Sequence, residues 1–107
     1  NVMLIKQRYD YQAKIVIKDY ILDINSRSIS KKNEKLQLTE REIDIILFLK
    51  EKKIPQKVNQ LQEVVWRYSP NLETHTVETH IYRLRKKMKQ TFKDQHFIKT
   101  DQEGYSV

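Results

Sequence analysis

Cysteine is absent from this 107-residue sequence and glycine occurs once. The first absence excludes disulfides and thiolate metal sites, and three scattered histidines without paired spacing give zinc no ligand set. The second excludes glycine-rich phosphate cradles, which need several glycines at fixed positions, so nucleotide hydrolysis is not expected. No apolar run approaches the roughly 18 residues of a membrane span. The opening NVMLIKQRYDYQ is too short and too polar for a signal peptide. A cytoplasmic setting without membrane contact is therefore the expectation. There is no GxSxG elbow, no HExxH pair and no calcium loop, and no two carboxylates are singled out by their neighbours as acid and base. A binding module without cofactor, rather than an enzyme, is what these absences favour. The first residue is Asn rather than Met, which points to a piece of a longer chain.

What the sequence does contain is a single strongly patterned stretch, residues 74–90, reading THTVETHIYRLRKKMKQ. At 100° per residue, Val77, Ile81, Leu84 and Met88 form one narrow stripe, as a core-facing helix requires. Thr79, Tyr82, Arg83, Lys86 and Gln90 fall opposite, and neither Gly nor Pro interrupts the pattern. Across residues 75–93, six basic residues (Arg83, Arg85, Lys86, Lys87, Lys89, Lys93) face one acid, Glu78, giving +5 of the chain's net +7. The bland reading is a solvated helix rich in Lys and Arg. The sharper one is a polyanionic partner, since Arg makes forked hydrogen bonds and Tyr and Thr stand beside it.

The chain is long enough for one domain that folds alone, burying roughly two thirds of its unfolded surface. Residues 1–14 read as a linker or an extra strand. From Lys14 onward, Lys14-Ile15-Val16-Ile17-Lys18 and Tyr20-Ile21-Leu22-Asp23-Ile24 are short and rich in β-branched residues. With Ser28-Ile29-Ser30 and Lys35-Leu36-Gln37-Leu38 they predict an antiparallel meander of three or four strands. Thr39-Glu40-Arg41-Glu42 fits a capping box, opening a helix apolar on most of its circumference and ending near Lys52 before Pro55. A second helix is expected over 58–66, then a loop marked by Ser69-Pro70-Asn71. Strands over 95–100 and 105–107 flank the turn Asp101-Gln102-Glu103-Gly104, with the lone glycine where positive φ is most useful.

In this order the parts resemble the C-terminal effector domain of OmpR/PhoB-type response regulators, an α+β winged helix-turn-helix. The carriers are Leu38-Thr39-Glu40-Arg41-Glu42, Leu61-Gln62-Glu63-Val64-Val65-Trp66, Ile98-Lys99-Thr100 and Gly104-Tyr105. The most specific is Thr76-Val77-Glu78-Thr79-His80-Ile81-Tyr82-Arg83-Leu84-Arg85-Lys86-Lys87-Met88. The resemblance covers residues 15–107: meander 15–38, three-helix part 39–93, wing hairpin 94–107. It implies sequence-specific binding of double-stranded DNA, with the helix 74–90 in the major groove and transcription regulated through a two-component phosphorelay. On this resemblance Thr79, Tyr82 and Arg83 meet base edges, Arg83 foremost because Arg bonds guanine bidentately. His75, Thr76, His80, Arg85, Lys86, Lys87 and Thr100 hold phosphates. His80 could equally pack at the helix edge, Arg85 could make an internal pair, and Trp66 suits the core better than DNA.

Two departures alter the expectation. Family wings commonly read Thr-x-Arg-Gly-x-Gly-Tyr, whereas Thr100-Asp101-Gln102-Glu103-Gly104-Tyr105 is one residue shorter, lacks the Arg and carries two acids. Carboxylates beside phosphates repel, so the wing is expected to contribute little, Thr100 and Gln102 excepted. Lys57-Val58-Asn59 stands where the family favours Ser, so the second helix is expected to be less well capped. In the family a phosphorylated receiver domain precedes this module and promotes homodimers on tandem half-sites, and the loop at 67–73 touches RNA polymerase. No receiver lies within these residues, so no Asp is assigned as phosphoacceptor. The alternative from another class is a winged helix that grips an acidic protein partner.

Overall fold

The computed structural model describes residues 14–66 and 74–107. The expected linker or strand at the N-terminus, save Lys14, and the loop 67–73 lie outside the described residues. Strands β1 (Lys14–Ile17), β2 (Tyr20–Asp23), β3 (Ser28–Lys31) and β4 (Glu34–Gln37) form an antiparallel sheet in chain order. The register aligns Ile15, Leu22, Ile29 and Leu36 across one face, and Val16, Ile21, Ser30 and Lys35 across the other. The first row is the inside: Ile15, Leu22 and Ile29 are buried, whereas Val16 and Ile21 are exposed.

Glycine poverty leaves a mark on the turns. Lys18, Arg27 and Lys32 adopt φ of 55°, 53° and 56°, and Lys93 adopts 60°. Each places a side chain in the left-handed region at a cost of about 1–2 kcal/mol that Gly would avoid.

Helix α1 (Glu40–Glu51) opens on the expected capping box. The Glu42 amide donates to Thr39 Oγ1 at 3.2 Å and Glu42 Oε1 accepts from the Thr39 amide at 2.8 Å. All residues from Glu42 to Leu49 are buried, so α1 is the central pillar of the core. Helix α2 (Val58–Val65) turns Leu61 and Val65 inward. Its start has no side-chain oxygen from Lys57, as expected, but Gln60 Oε1 takes the Lys57 amide at 2.7 Å and supplies half of a capping box. Helix α3 (Thr74–Phe92) buries Val77, Ile81, Leu84 and Met88, each no more than 1% exposed.

The C-terminal hairpin consists of β5 (Lys99–Asp101) and β6 (Gly104–Ser106), joined at Gln102 and Glu103. The expected strand over 95–100 is shorter, because Phe97 and Ile98 are both buried and two consecutive inward residues cannot alternate across a strand. Gly104 has a second reason to be glycine beyond its φ of 130°: a Cβ there would lie 2.4 Å from the Gln56 carbonyl oxygen. That close approach lets the Gln56 and Tyr105 amides each donate to the other's carbonyl at 2.8 Å, tying the hairpin to the α1–α2 connection.

Candidate nucleic-acid interface

The orientation of α3 is set by its seam. Burying four apolar side chains at about 1.5–3 kcal/mol each outweighs surface ion pairs worth about 0–1 kcal/mol, so the inner stripe decides which residues point outward. His75, Thr79, Tyr82, Arg83, Lys86, Lys89 and Gln90 then share an outward arc of about 120°. His75, Arg83, Lys86, Lys89 and Gln90 are exposed, and Tyr82 is 65% exposed. Thr79 Oγ1 donates back to the His75 carbonyl at 2.9 Å, which holds its methyl and hydroxyl in one orientation.

The two flanks behave differently. Arg85 donates from Nε and Nη2 to the Ile98 carbonyl at 3.3 and 3.0 Å, bonds Thr100 Oγ1, and lies 5.8 Å from the Tyr105 ring centre. It therefore straps the hairpin to α3. On the opposite flank Lys87 Nζ donates to Glu42 Oε1 at 2.7 Å, neutralising a carboxylate that is only 4% exposed. His80 Nδ1 lies 2.9 Å from the Thr76 carbonyl, and its ring meets Trp66 edge-on at 5.1 Å. The Arg41 guanidinium covers the Trp66 ring at 5.2 Å and bonds the Val65 carbonyl, so Trp66 locks the end of α2 between α1 and α3.

Of the residues expected at phosphates, His75 and Lys86 thus stand on the open face and Thr76 is half-buried beside it. His80, Arg85, Lys87 and Thr100 carry internal partners. The division follows from geometry: flank positions lie close enough to the seam for side chains to reach back over it, whereas central positions do not. The wing tip presents Asp101, Gln102 and Glu103, all exposed, and the Glu103 amide donates to Asp101 Oδ1 at 2.7 Å. Asp101 thereby shapes the turn.

The C-terminal end of α3 is anchored by its own polar group. The Tyr20 hydroxyl donates to Asp94 Oδ2 at 2.6 Å while the Tyr20 ring packs edge-on against Phe92 and Phe97. Burial by itself raises the Asp94 pKa. The bonds from Tyr20 and from the His96 amide, with Lys18 and Lys31 nearby, outweigh it and hold the carboxyl below its ordinary value. Burial, and then the bond to Asp94, pushes the Tyr20 phenol above its usual range.

Beyond the expected residues, the outward arc continues into an open groove of about 590 Å³ lined by Tyr82, Arg85, Lys86, Lys89, Gln90, Lys93 and Gln95. Lys93 and Gln95 were not legible as members, because they follow the helix and only its capping turn brings them back beside it. Among the described residues no group of His, Cys, Asp or Glu could hold a metal ion, and no helix is long and apolar enough to cross a membrane.

A meander, three helices and a hairpin, with one helix turned cationic side out, define a winged helix-turn-helix of the OmpR/PhoB type. Residues 33–107 match the family described as "Transcriptional regulatory protein, C terminal", and the chain belongs to it. That family is one of transcription regulators and not of enzymes. The chain is similar to the probable transcriptional regulator ycf27 of Cyanophora paradoxa, 33% identical over 64% of this chain and 30% of that protein. It is also similar to the transcriptional regulatory protein SrrA of Staphylococcus aureus, 31% identical over 80% of this chain and 36% of that protein. Among solved structures, the DNA binding domain of E. coli CadC superposes with a TM-score of 0.77 at 25% identity, covering 90% of this chain and 92% of that one. The chain spans about a third of the length of the curated relatives it matches.

Proposed function

We propose that this chain is the effector domain of a two-component-type bacterial transcription regulator and binds double-stranded DNA sequence-specifically, with α3 in the major groove. The observation that carries the reading is the outward face of α3: exposed, cationic and aromatic on a helix whose opposite side is fully buried. A rigid helix with such a face fits a groove about 12 Å wide. Arg83 is the principal base-reading residue, with Thr79 and Tyr82 beside it, and His75, Thr76 and Lys86 hold phosphates. Arg85, Lys87 and His80 serve as positioning residues, because Arg85 Nε and Nη2, Lys87 Nζ and His80 Nδ1 bond within the fold. The similarity to CadC's DNA binding domain supports the same partner. In the longer regulators a further portion would supply the input signal, and paired copies on tandem half-sites and a contact of residues 67–73 with RNA polymerase belong to the same reading.

The test is selection of bound duplexes from a random pool, followed by titration of variants on the selected site. Arg83→Ala is expected to weaken the selected site by about 1–3 kcal/mol and relax one position, while Lys86→Ala weakens all sequences and reduces the salt slope by about one. Unaltered affinity and salt dependence in both variants would remove α3 from the interface.

A further inference from the structure

The hairpin tip is short, exposed and acidic, and the hairpin is strapped to α3 through Arg85. The C-terminal half of α3 offers a cationic surface where the hairpin tip offers an acidic one. Lys86, Lys89 and Lys93 line the open groove beside Tyr82. Among the described residues, ion pairs join Arg27 to Glu40, Arg41 to Asp44 and Lys87 to Glu42. Lys86, Lys89 and Lys93 are outside those pairs and exposed. Among the described residues no acidic side chain lines the groove.

Helix length gives these lysines a place. With 1.5 Å of rise per residue, Lys89 lies about 9 Å along the axis from Arg83, and Lys93 follows Phe92, the last residue of the helix. A major groove about 12 Å wide puts its bordering backbone about 6 Å from the centre. A helix that crosses the groove with Arg83 over the bases carries Lys89 to that border, within side-chain reach of the phosphate strand.

Lys93 supplies a separate observation. It holds φ of 60° at the end of α3, its amide bonded to the Lys89 carbonyl and the next amide to that of Met88, an arrangement that favours Gly. Folding alone is better served by glycine there, as at Lys18, Arg27 and Lys32, and of these four cations only Lys93 lines the groove.

We propose that the groove formed by Lys86, Lys89 and Lys93 beside Tyr82 is a sequence-independent cradle for the DNA phosphate backbone that replaces the wing as the second point of attachment. The proposal rests on the DNA-binding reading above and adds the site of the backbone grip. The experiment uses the 107-residue chain and measures affinity for a selected and a scrambled duplex between 50 and 200 mM salt, with the combined variant Lys89→Gln and Lys93→Gly. Glutamine keeps helix propensity and glycine relieves the left-handed residue, so folding is retained or improved, which a thermal melt checks.

The expected result is a salt slope shallower by about 1.8 and affinity at 0.15 M salt lower by roughly 10- to 30-fold, equally on both duplexes. Restoring the charges as Lys89→Arg with Lys93 intact returns the slope. An unchanged slope in the combined variant, with wild type binding and Arg83→Ala weakening it, overturns the cradle and leaves the DNA-binding reading intact. A loss confined to the selected duplex makes these lysines base-reading and also overturns it. Absence of salt-sensitive binding by the wild type overturns both.

Discussion

The outer face of α3 and the tip of the hairpin are neighbouring surfaces with opposite character. The helix face is cationic and built on a rigid element, while the hairpin tip is acidic and its Asp101 carboxylate accepts from the Glu103 amide. Both are exposed, so exposure alone does not separate a binding surface from a structural one. What separates them is where the charges are used. Arg85 and Lys87 differ from Arg83 and Lys86 by small steps in sequence, yet the first two are consumed by the Ile98 carbonyl and the Glu42 carboxylate. In this chain Arg85 ties the hairpin to α3.

The sharpest way to break that comparison is Gly104→Ala, which forces a Cβ into the Gln56 carbonyl and severs two reciprocal backbone bonds. Strain and lost bonds together predict a loss of about 2–4 kcal/mol in denaturant unfolding. DNA affinity falls with it if the brace holds α3 in place. Next comes Arg85→Ala, expected to lower stability by about 1.5–3 kcal/mol because charge-assisted bonds to Ile98 and Thr100 disappear, whereas Arg83→Ala stays within about 0.5 kcal/mol of wild type. Equal melting temperatures for these two variants would show that Arg85 braces nothing. The smallest effect belongs to the hairpin tip: Asp101→Asn with Glu103→Gln is expected to tighten DNA binding by no more than about threefold, since exposed charges are screened by salt. A tenfold gain, read by the same titration, would mean that the acids stand directly against phosphates.

Much of the fold was legible because it rests on local chemistry. The capping box at Thr39 and Glu42, the change of period after Leu38, and the seam of Val77, Ile81, Leu84 and Met88 all appear where the residues place them. The strand expected over 95–100 was too long, because alternation cannot foresee that Phe97 and Ile98 both plug the core. The role of Gly104 was half legible: positive φ follows from turn chemistry, but the Gln56 backbone that leaves no room for a Cβ comes from a distant segment.

Sequence by itself determined that one helix would be greasy on one side and cationic on the other, since periodicity is a property of consecutive residues. Tertiary structure decided which of those cations remain available. Glu42 is 45 positions from Lys87, and the Ile98 carbonyl meets Arg85 only after the chain has turned back along α3. A long flexible side chain takes whichever carboxylate or carbonyl the fold brings within hydrogen-bond reach, and that neighbour is not encoded beside it.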